Sequence, residues 1–285
     1  MVCINPEKVN LAYVAGFFDA EGSITIASFN TKTQKRHQLR VSLSNSDKKS
    51  LITIKKSFLN FGSMVKLGRA SGIGGPDTFE WRLGTRQAAC FLEKISPFLV
   101  IKKGEAELAI KFQNSLYRTA GKFLADSEIR GRDLIKQEMT RLHKNRYIDA
   151  VDYSNYLLPY TAGLLDGDGY IGILHNTTPT VTISSTELKA LEYLKINFDY
   201  GFIYKNRECF RWIVSSHSAK KFLEQLLPYF RLKGSEAALA IRFHDSIKSN
   251  NRRPVSKVEL DNRRRIIKKI MSYHLKKGIA SRINN

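Results

Sequence analysis

The chain contains the same short pattern twice, at Leu11–Gly22 and at Leu158–Gly169. Each copy is an apolar run that ends in an acid, any residue, a second acid and a glycine. Small residues one turn apart form a flat stripe on a helix, along which a second backbone can approach closely; here they are Gly16, Ala20, Gly163 and Gly167. The sequence therefore predicts two helices packed against each other, with Gly22 and Gly169 in the left-handed conformation that ends many helices.

The ends of the two predicted helices carry acids in an unfavourable place. Glu21 and Asp168 would stand at helix C-termini, where the partial negative charge of the helix repels a carboxylate unless a cation compensates. Mg²⁺ prefers a few carboxylates completed by water and phosphate oxygens. Two acids that meet at the foot of a helix pair therefore predict a Mg²⁺ site, with the backbone carbonyls of Ala20 and Gly167 as further candidate ligands.

The repeat extends well beyond these helices. Pro97–Lys102 parallels Pro228–Lys233, and Glu105–Phe112 parallels Glu236–Phe243, both at an offset of 131 residues. The repeated helices are offset by 147 residues, and a duplicated fold tolerates such length differences best in hairpin loops. The chain is therefore predicted to fold as two halves of the same architecture.

Hydrophobic periodicity gives each half the same order of elements, α-β-β-α-β-β-α. Alternation at Phe79, Trp81 and Leu83, repeated at 210–214, buries one face of a sheet and exposes the other. The predicted class is α+β, a duplicated fold of two four-stranded antiparallel sheets, each backed by helices. The predicted strands are 23–29, 39–44, 64–67, 79–83, 170–174, 180–184, 201–205 and 210–214, and the further helices are 47–61, 86–95, 187–198 and one after Lys102.

The repeat divides the chain into four predicted segments. Residues 1–112 form the first half, and residues 157–243 form the second half. Residues 113–156 form a helical and polar linker between the halves. Residues 244–285 form a basic helical extension that is the counterpart of the linker.

A formal charge of +21 points to a polyanionic partner. Residues 248–285 hold 12 Lys and Arg against 2 acids. Apolar residues at Ile266, Ile267, Ile270 and Tyr273 predict a helix that packs on one side and presents basic side chains on the other; these are Arg263, Arg264, Arg265, Lys268 and Lys269. The chain has no long apolar run, so a membrane partner is not expected.

The three cysteines, Cys3, Cys90 and Cys209, lack the spacing of a metal site and are expected to be reduced. The N-terminus shows no recognisable targeting segment. These features predict an intracellular protein, either in an organelle (mitochondrion or chloroplast) or in a prokaryotic cytoplasm.

Both copies of the opening pattern resemble the motif of LAGLIDADG homing endonucleases, in the single-chain form that carries two motifs. The resemblance implies a monomer with an internal pseudo-two-fold axis, whose two sheets form a saddle on double-stranded DNA. It implies an intron-encoded, site-specific endonuclease that cuts both strands of a long target with metal-activated water and leaves 3′ overhangs. Mg²⁺ is the implied cofactor, and Mn²⁺ or Ca²⁺ is expected to substitute for it in binding.

The resemblance also assigns roles to the acids of the two motifs. Glu21 and Asp168, the second acids, match the metal ligands of the family. Asp19 and Asp166, the first acids, match positions that are more often structural. The use of Glu in one motif and Asp in the other makes the two sites unequal.

Four more residues match functional positions of the family. Lys102 and Lys233 match a basic residue near the scissile phosphates, where it would polarise water or neutralise the reacting phosphate. Asp47 and Glu187 match polar positions that organise active-site water. The resemblance therefore implies one lysine and one further acid for each motif.

The exposed sheet faces are predicted to contact DNA, because a two-stranded ribbon fits the major groove. In the first half the candidate contacts are Thr25, Ala27, Phe29, Gln38, Arg40, Ser42, Ser44, Lys66, Arg69 and Arg82. In the second half they are Gly172, Leu174, Asn176, Thr180, Thr182, Ser184, Lys205, Arg207 and Arg211. The two sets differ strongly, so the target is expected to be asymmetric.

Two other functions stay open at this point. One is an RNA maturase that binds its own intron RNA and assists splicing, and the other is a non-catalytic DNA-binding regulator. The acids and lysines retained at both motifs favour the nuclease, because a degenerate regulator is expected to have lost one of them.

Overall fold

The computed structural model describes residues 10–69, 76–117, 123–146, 148, 155–247 and 255–276. The first half consists of α1 (Leu11–Glu21), β1 (Gly22–Asn30), β2 (Lys35–Asn45), α2 (Lys48–Ser57), β3 (Ser63–Arg69), β4 (Asp77–Gly84), α3 (Thr85–Ile95), α4 (Lys103–Tyr117) and α5 (Asp126–Lys144). The second half consists of α6 (Leu157–Asp168), β5 (Gly169–Leu174), β6 (Thr178–Ser185), α7 (Leu188–Phe198), β7 (Phe202–Asn206), β8 (Cys209–Ser215), α8 (Ser216–Leu226), α9 (Gly234–Ser246) and α10 (Lys257–Lys276).

Each half builds one four-stranded antiparallel sheet. The strand orders are β1-β2-β4-β3 and β5-β6-β8-β7, so the two sheets have the same topology. Equivalent residues take equivalent places in the register, since Trp81 pairs with Leu43 and Trp212 pairs with Ile183. The predicted α+β class and the duplication of two four-stranded sheets are confirmed.

A tryptophan anchors the core of each half on the helix side of its sheet. Trp81 meets Phe91 edge to face at a centroid distance of 5.3 Å, and Trp212 meets Phe222 in the same way at 5.3 Å. Each buried indole N–H also finds an acceptor, because Trp81 Nε1 donates to Phe61 O at 2.8 Å and Trp212 Nε1 donates to a backbone carbonyl at 2.9 Å. A satisfied N–H lets so large a side chain be buried without an unpaired polar group.

The two halves join through α1 and α6, whose backbones touch as the glycine stripes predict. A Cβ added to Gly16 would overlap Tyr160 O and lie 2.9 Å from Leu164 N. One added to Gly163 would overlap Tyr13 O, which is the same contact seen from the other helix. Glycine is required here because a backbone, and not a movable side chain, fills the space.

The glycines that follow the two helices are required for a different reason from the one predicted. Gly22 has φ −86° and ψ 156°, and Gly169 has φ −82° and ψ 157°, so both are extended and begin strands. The expected left-handed conformation is wrong. A Cβ on Gly22 would lie 2.5 Å from Phe18 O, and one on Gly169 would lie 2.7 Å from Leu165 O. The turn from helix to strand is so abrupt that the preceding helical turn occupies the space of a side chain.

Helices α5 and α10 repeat each other along the outer edges of the two sheets. His143 Nε2 donates to Ile24 O of β1 at 3.0 Å, and His274 Nε2 donates to Ile171 O of β5 at 2.9 Å. The two histidines are 131 residues apart, so the duplication continues into the linker and the C-terminal extension. Each helix covers backbone groups of an edge strand that would otherwise be open to another chain.

The cysteines differ from the prediction at one position. Cys209 is a free thiol, as expected, whereas Cys90 in α3 is disulfide-bonded, so the expectation of reduced cysteines is wrong for Cys90. Cys3 lies outside the described residues.

Candidate active site

The ends of α1 and α6 open into one cleft between the two sheets. Glu21 and Asp168 line this cleft together with Lys102 and Lys233. The packing of α1 on α6 is what brings the two acids to the same place, because each is the last residue of its helix. The predicted meeting of the two motif acids and the two lysines is therefore observed.

Glu21 lies in a poorly solvated environment, whereas Asp168 is exposed. Burial raises the pKa of Glu21 to about 7, and the charge of Asp168 adds to the shift. Three interactions oppose this rise in pKa without cancelling it. The largest is the charge of Lys233, followed by a 2.9 Å hydrogen bond that Asn45 Nδ2 donates to Glu21, and then the charge of Lys102. A carboxylate whose ionisation is disfavoured in this way, beside a second carboxylate, makes a favourable place for a cation.

The charged residues in the cleft interact between the two halves of the chain. Lys233 of the second half favours the ionised form of Glu21 more than Lys102 does. Burial lowers the pKa of Lys102, and the charges of Asp19, from the first motif, and then of Asp168, from the second, oppose this shift. Lys102 therefore interacts with acids of both motifs and Glu21 with lysines of both halves, so the cleft is a composite of both repeats.

Asp19 anchors the turn that carries Lys102. Its Oδ2 accepts hydrogen bonds from the backbone N–H groups of Val100 and Ile101, both at 2.9 Å, and its Oδ1 accepts from Lys102 N at 2.9 Å. Tyr160, on the other motif helix, donates its hydroxyl to Asp19 Oδ2 at 2.7 Å. The first acid of the motif is thus saturated by structural contacts, which is the role that the family resemblance implied.

Asp166 does the same in the second half. It accepts from the backbone N–H groups of Arg231, Leu232 and Lys233 at 2.8, 3.0 and 2.8 Å. Tyr13 of α1 donates its hydroxyl to Asp166 at 2.7 Å, and burial raises the pKa of this tyrosine, so it stays a donor. The two tyrosine–aspartate bonds cross the helix pair in opposite directions.

The lysines cap the two motif helices. Lys102 Nζ donates to Phe18 O at 3.2 Å and to Asp19 O. Lys233 Nζ donates to three carbonyls at 2.5, 3.0 and 3.1 Å, those of Leu165, Asp166 and Gly167. These ammonium groups offset the negative end of each helix, and burial lowers the pKa of Lys102. The predicted placing of the lysines beside the acids is observed, and their contact with a scissile phosphate stays a prediction.

Asp47 and Glu187 both line the cleft but have different contacts. Asp47 Oδ2 caps α2 by accepting from Ser50 N at 2.9 Å and from the Ser50 hydroxyl at 2.6 Å. Glu187 makes no such cap and instead accepts from Arg146 NH1 at 3.2 Å. The sequence analysis missed Arg146, because an isolated arginine in the segment between the halves carries no pattern.

Two carboxylates in an open cleft fit Mg²⁺. The described residues contain no group of three or more His, Cys, Asp or Glu side chains placed to hold a metal. Mg²⁺ does not need one, because it is often held by one or two carboxylates with water and phosphate completing the shell. Among the further candidate ligands, the carbonyl of Gly167 is engaged by Lys233, and Ala20 lines the cleft.

Most of the predicted DNA contacts lie on the sheet faces that point away from the helices. In the first sheet Thr25 pairs with Arg40, Ala27 with Gln38, and Ser42 with Arg82. In the second sheet Thr182 pairs with Tyr170, and Ser184 with Arg211. The same faces also hold Phe29, Ser44, Leu174 and the buried Gly172, while Asn176 and Arg207 stand in the hairpin turns. Thr180 shares this face but is buried, and its hydroxyl donates to Thr178 O at 3.1 Å.

Lys66 and Lys205 were assigned to the wrong face. Lys66 pairs with Phe79 and Lys205 with Phe210, so both lie on the helix side of their sheets. Arg69 is the last residue of β3, and its side chain lies outside the described part of the chain. β3 and β7 are edge strands without clear apolar alternation, so their phase could not be read from the sequence. The residues that take these places on the exposed faces are Val65, Glu80, Phe202, Tyr204 and Asn206.

Helix α10 presents the predicted basic surface. Ile270 is buried, and Arg264, Arg265, Lys268 and Lys269 are exposed. Arg263 differs, because it donates to Ser246 O at 2.9 Å and to Glu259 at 2.7 Å, so it belongs to the packed side. No helix in the described ranges is both long and apolar enough to cross a membrane.

Comparison with known proteins identifies the fold. Residues 8–96 match the LAGLIDADG-like domain family. No curated protein sequence matches the chain. Among solved structures, the homing endonuclease I-GzeII in complex with its DNA target superposes with a TM-score of 0.74 at 17% identity, covering 93% of this chain and 99% of that one. I-SmaMI bound to cleaved DNA gives 0.68 at 19% identity, with coverage of 91% and 96%. I-AabMI bound to uncleaved DNA gives 0.68 at 18% identity, with coverage of 91% and 98%.

Proposed function

Because residues 8–96 form a LAGLIDADG-like domain and the whole chain has the LAGLIDADG homing endonuclease fold, we propose that it is a site-specific DNA endonuclease. It acts as a monomer on double-stranded DNA and cuts both strands of a long asymmetric target, leaving 3′ overhangs. The observation that carries this proposal is the pairing of Glu21 and Asp168 in one cleft, each beside a buried lysine and between two exposed sheet faces. The fold relatives I-GzeII, I-SmaMI and I-AabMI were each solved with DNA.

The chemistry follows from the residues of the cleft. Glu21 and Asp168 would hold divalent cations, Mg²⁺ in the first place, which supply Lewis-acid assistance and an activated water. I-SmaMI was solved on uncleaved DNA in the presence of calcium ions, which fits a cation site of this kind. Asp19 and Asp166 fix the turns that carry the lysines, so Lys102 and Lys233 stay at the ends of the motif helices. Their ammonium groups are positioned to stabilise negative charge that develops on a reacting phosphate.

The two sheet faces differ in chemistry, which supports an asymmetric target. The first face carries Gln38, Arg40 and Arg82, whose side chains suit the hydrogen-bonding edges of purines. The second face carries exposed Leu174, Phe202 and Tyr204. Apolar side chains in the major groove contact the thymine methyl group. We therefore propose that the second sheet reads a thymine-rich half-site.

Removing thymine methyl groups tests this assignment. We expect each deoxyuridine placed at a contacted thymine of that half-site to lower affinity about fourfold, because one buried methyl group contributes about 0.8 kcal/mol. The same replacement in the other half-site should lower affinity at fewer positions, because Phe29 is the exposed aromatic residue of the first face. In Phe202→Ala, deoxyuridine should no longer lower affinity in the half-site that Phe202 contacts, which identifies that half-site. Equal tolerance of deoxyuridine in both half-sites would contradict the assignment.

The proposed function is tested by selecting cleaved molecules from a randomised DNA library in Mg²⁺ and sequencing both cut ends. The expected result is one long asymmetric site with staggered cuts and 3′ overhangs. Asp168→Asn, carried through the same selection, is the control for a contaminating nuclease. Specific binding without cuts would favour the non-catalytic regulator, and absence of any selected site would refute the proposal.

A pair of lysine variants separates chemistry from attraction. We expect Lys102→Met and Lys233→Met to lower the single-turnover rate at saturating protein by about 10²-fold, because each removes a buried positive charge near the reacting phosphate. Binding measured in Ca²⁺ should change much less. If either variant loses only affinity and keeps the saturated rate, that lysine is structural.

Neutralising the exposed part of α10 should weaken DNA binding and leave the cleavage rate unchanged. Arg264→Ala with Arg265→Ala is expected to flatten the dependence of binding on salt by about 0.9 in log–log slope for each phosphate that is no longer neutralised. The saturated cleavage rate should stay the same. Arg263→Ala is not equivalent, because Arg263 is bonded to Glu259 and Ser246.

A further inference from the structure

Arg146 links the two halves at the wall of the cleft. It follows α5, in the segment between the halves, and it lines the cleft with the acids and lysines. Its Nε donates to Glu105 Oε1 of α4 at 2.7 Å, and its NH1 donates to Glu187 Oε1, just before α7, at 3.2 Å. One guanidinium therefore joins the first repeat to the second.

The bridge is well shielded from water. The side chains of Arg146 and Glu187 are each 18% exposed, and that of Glu105 is 2% exposed. A buried carboxylate needs a paired cation, and the planar fork of arginine can serve two acids at fixed angles where lysine serves as a point charge. Arg146 also lies near enough to Lys102 that its charge helps to lower the pKa of that lysine. Arg146, Glu187 and Lys102 thus belong to one side of the cleft.

The other side of the cleft differs at Asp47. Asp47 is the counterpart of Glu187, but its carboxylate caps its own helix. The counterpart of Arg146 at the repeat offset is Lys277, which lies outside the described residues. Among the described residues, the arginine bridge thus marks the side of the cleft that holds Lys102.

We propose that Arg146 is a positioning residue for one of two cutting sites, the one that contains Lys102 and Glu187. The guanidinium holds the Glu187 carboxylate facing the cleft, where that carboxylate orders the attacking water. The two DNA strands therefore depend differently on this residue. The inference rests on the proposed function and adds to it an asymmetry between the sites.

The test measures each strand separately. A target duplex labelled on one strand or the other is cut by wild type and by Arg146→Met at saturating protein. We expect the variant to cut one strand about 10- to 100-fold more slowly, as when a positioned partner is removed, and the other at the wild-type rate. Nicked plasmid should accumulate, binding in Ca²⁺ should be unchanged, and Arg146→Lys should restore part of the slow rate. Glu187→Gln should slow the same strand.

Arg141→Met is the matched control. Arg141 stands on α5 five residues earlier, and its exposed ion pair with Glu138 is remote from the acids. It should leave both strands unaffected. Equal slowing of both strands by Arg146→Met, or no slowing, would overturn the positioning role.

A second measurement does not require cleavage. Denaturant unfolding of Arg146→Met, Glu187→Gln and the double variant should show non-additive losses of stability, since the two residues share one ion pair. Additive losses would mean that the bridge is absent in solution. A wild-type protein that cuts no DNA but shows the coupling would refute the nuclease while the bridge stands. Coupling together with equal slowing of both strands would leave the bridge as a structural contact and overturn the positioning role.

Discussion

Glu21→Gln is expected to lower double-strand cleavage by at least about 10²-fold while DNA binding persists. The amide keeps the shape of the carboxylate but removes the charge that a cation requires. Plasmid cleavage and gel shifts on the same preparation measure the two effects. Glu93→Gln, at an exposed position of α3, is the control for the substitution itself. Full cleavage by Glu21→Gln would exclude this acid from the active site.

The same variant should be more stable than wild type when metal is absent. The pKa of Glu21 is raised from 4.5 to about 7, so the folded state binds its proton more tightly than the unfolded state does. The wild-type protein should therefore lose stability as pH rises from about 4.5 to about 7, and the glutamine variant should lack this contribution. The difference at pH 8 is expected to be about 1–3 kcal/mol, reduced by solvent screening.

Thermal melts in EDTA at pH 5 and pH 8 check this effect. The variant and wild type should differ little at pH 5 and clearly at pH 8, with the variant melting higher. Added Mg²⁺ should raise the melting temperature of wild type but not of the variant. A variant that melts lower than wild type at pH 8 would contradict the raised pKa of Glu21 in the folded protein.

Gly163→Ala is expected to prevent correct folding, although it adds a single methyl group. The new Cβ would overlap Tyr13 O and lie 2.9 Å from Phe17 N, so the α1 and α6 backbones would have to separate. Overpacking against side chains costs about 1–3 kcal/mol, and here the neighbour is a backbone that cannot rotate away. Loss of solubility and of the cooperative urea transition are the measurements.

Gly131→Ala is the matched control for this effect. Gly131 lies in α5, where an added Cβ meets nothing within 4 Å. Alanine is the better helix former by about 1 kcal/mol, so this variant should be slightly more stable than wild type. Equal melting of Gly163→Ala and wild type would mean that the motif helices do not pack as closely as described.

The features that could be predicted from the sequence and those that could not have different physical origins. Features that occur twice were predictable, because a coincidence of spacing at Gly16 and Gly163, or at Lys102 and Lys233, is improbable without a shared structural reason. The strand phase at Trp81 and its counterpart was readable from apolar alternation. These repeats were sufficient for the fold and for the meeting of the four central side chains.

The missed features depend on single contacts in three dimensions. Gly22 is required because Phe18 occupies the space of a side chain, a contact that no sequence pattern indicates. The predicted face of Lys66 is wrong because β3 carries apolar residues on both faces, Met64 on one and Val65 on the other, so alternation does not fix its phase. Asp47 and Glu187 occupy matching places, yet only Asp47 has Ser50 within reach for a helix cap. Such divergence between repeats is invisible until the neighbours are known.

The crossed bonds Tyr13–Asp166 and Tyr160–Asp19 have a consequence for how such a chain can change. Each half presents the same tyrosine and the same aspartate, so the contact between the halves is self-complementary, as in a symmetric dimer. A half of this kind would be able to pair with a second copy of itself. The exposed sheet faces contribute nothing to these bonds and have become unlike each other. The residues that join the halves are thus separate from those on the exposed sheet faces, so a substitution on a sheet face leaves the contact between the halves unchanged.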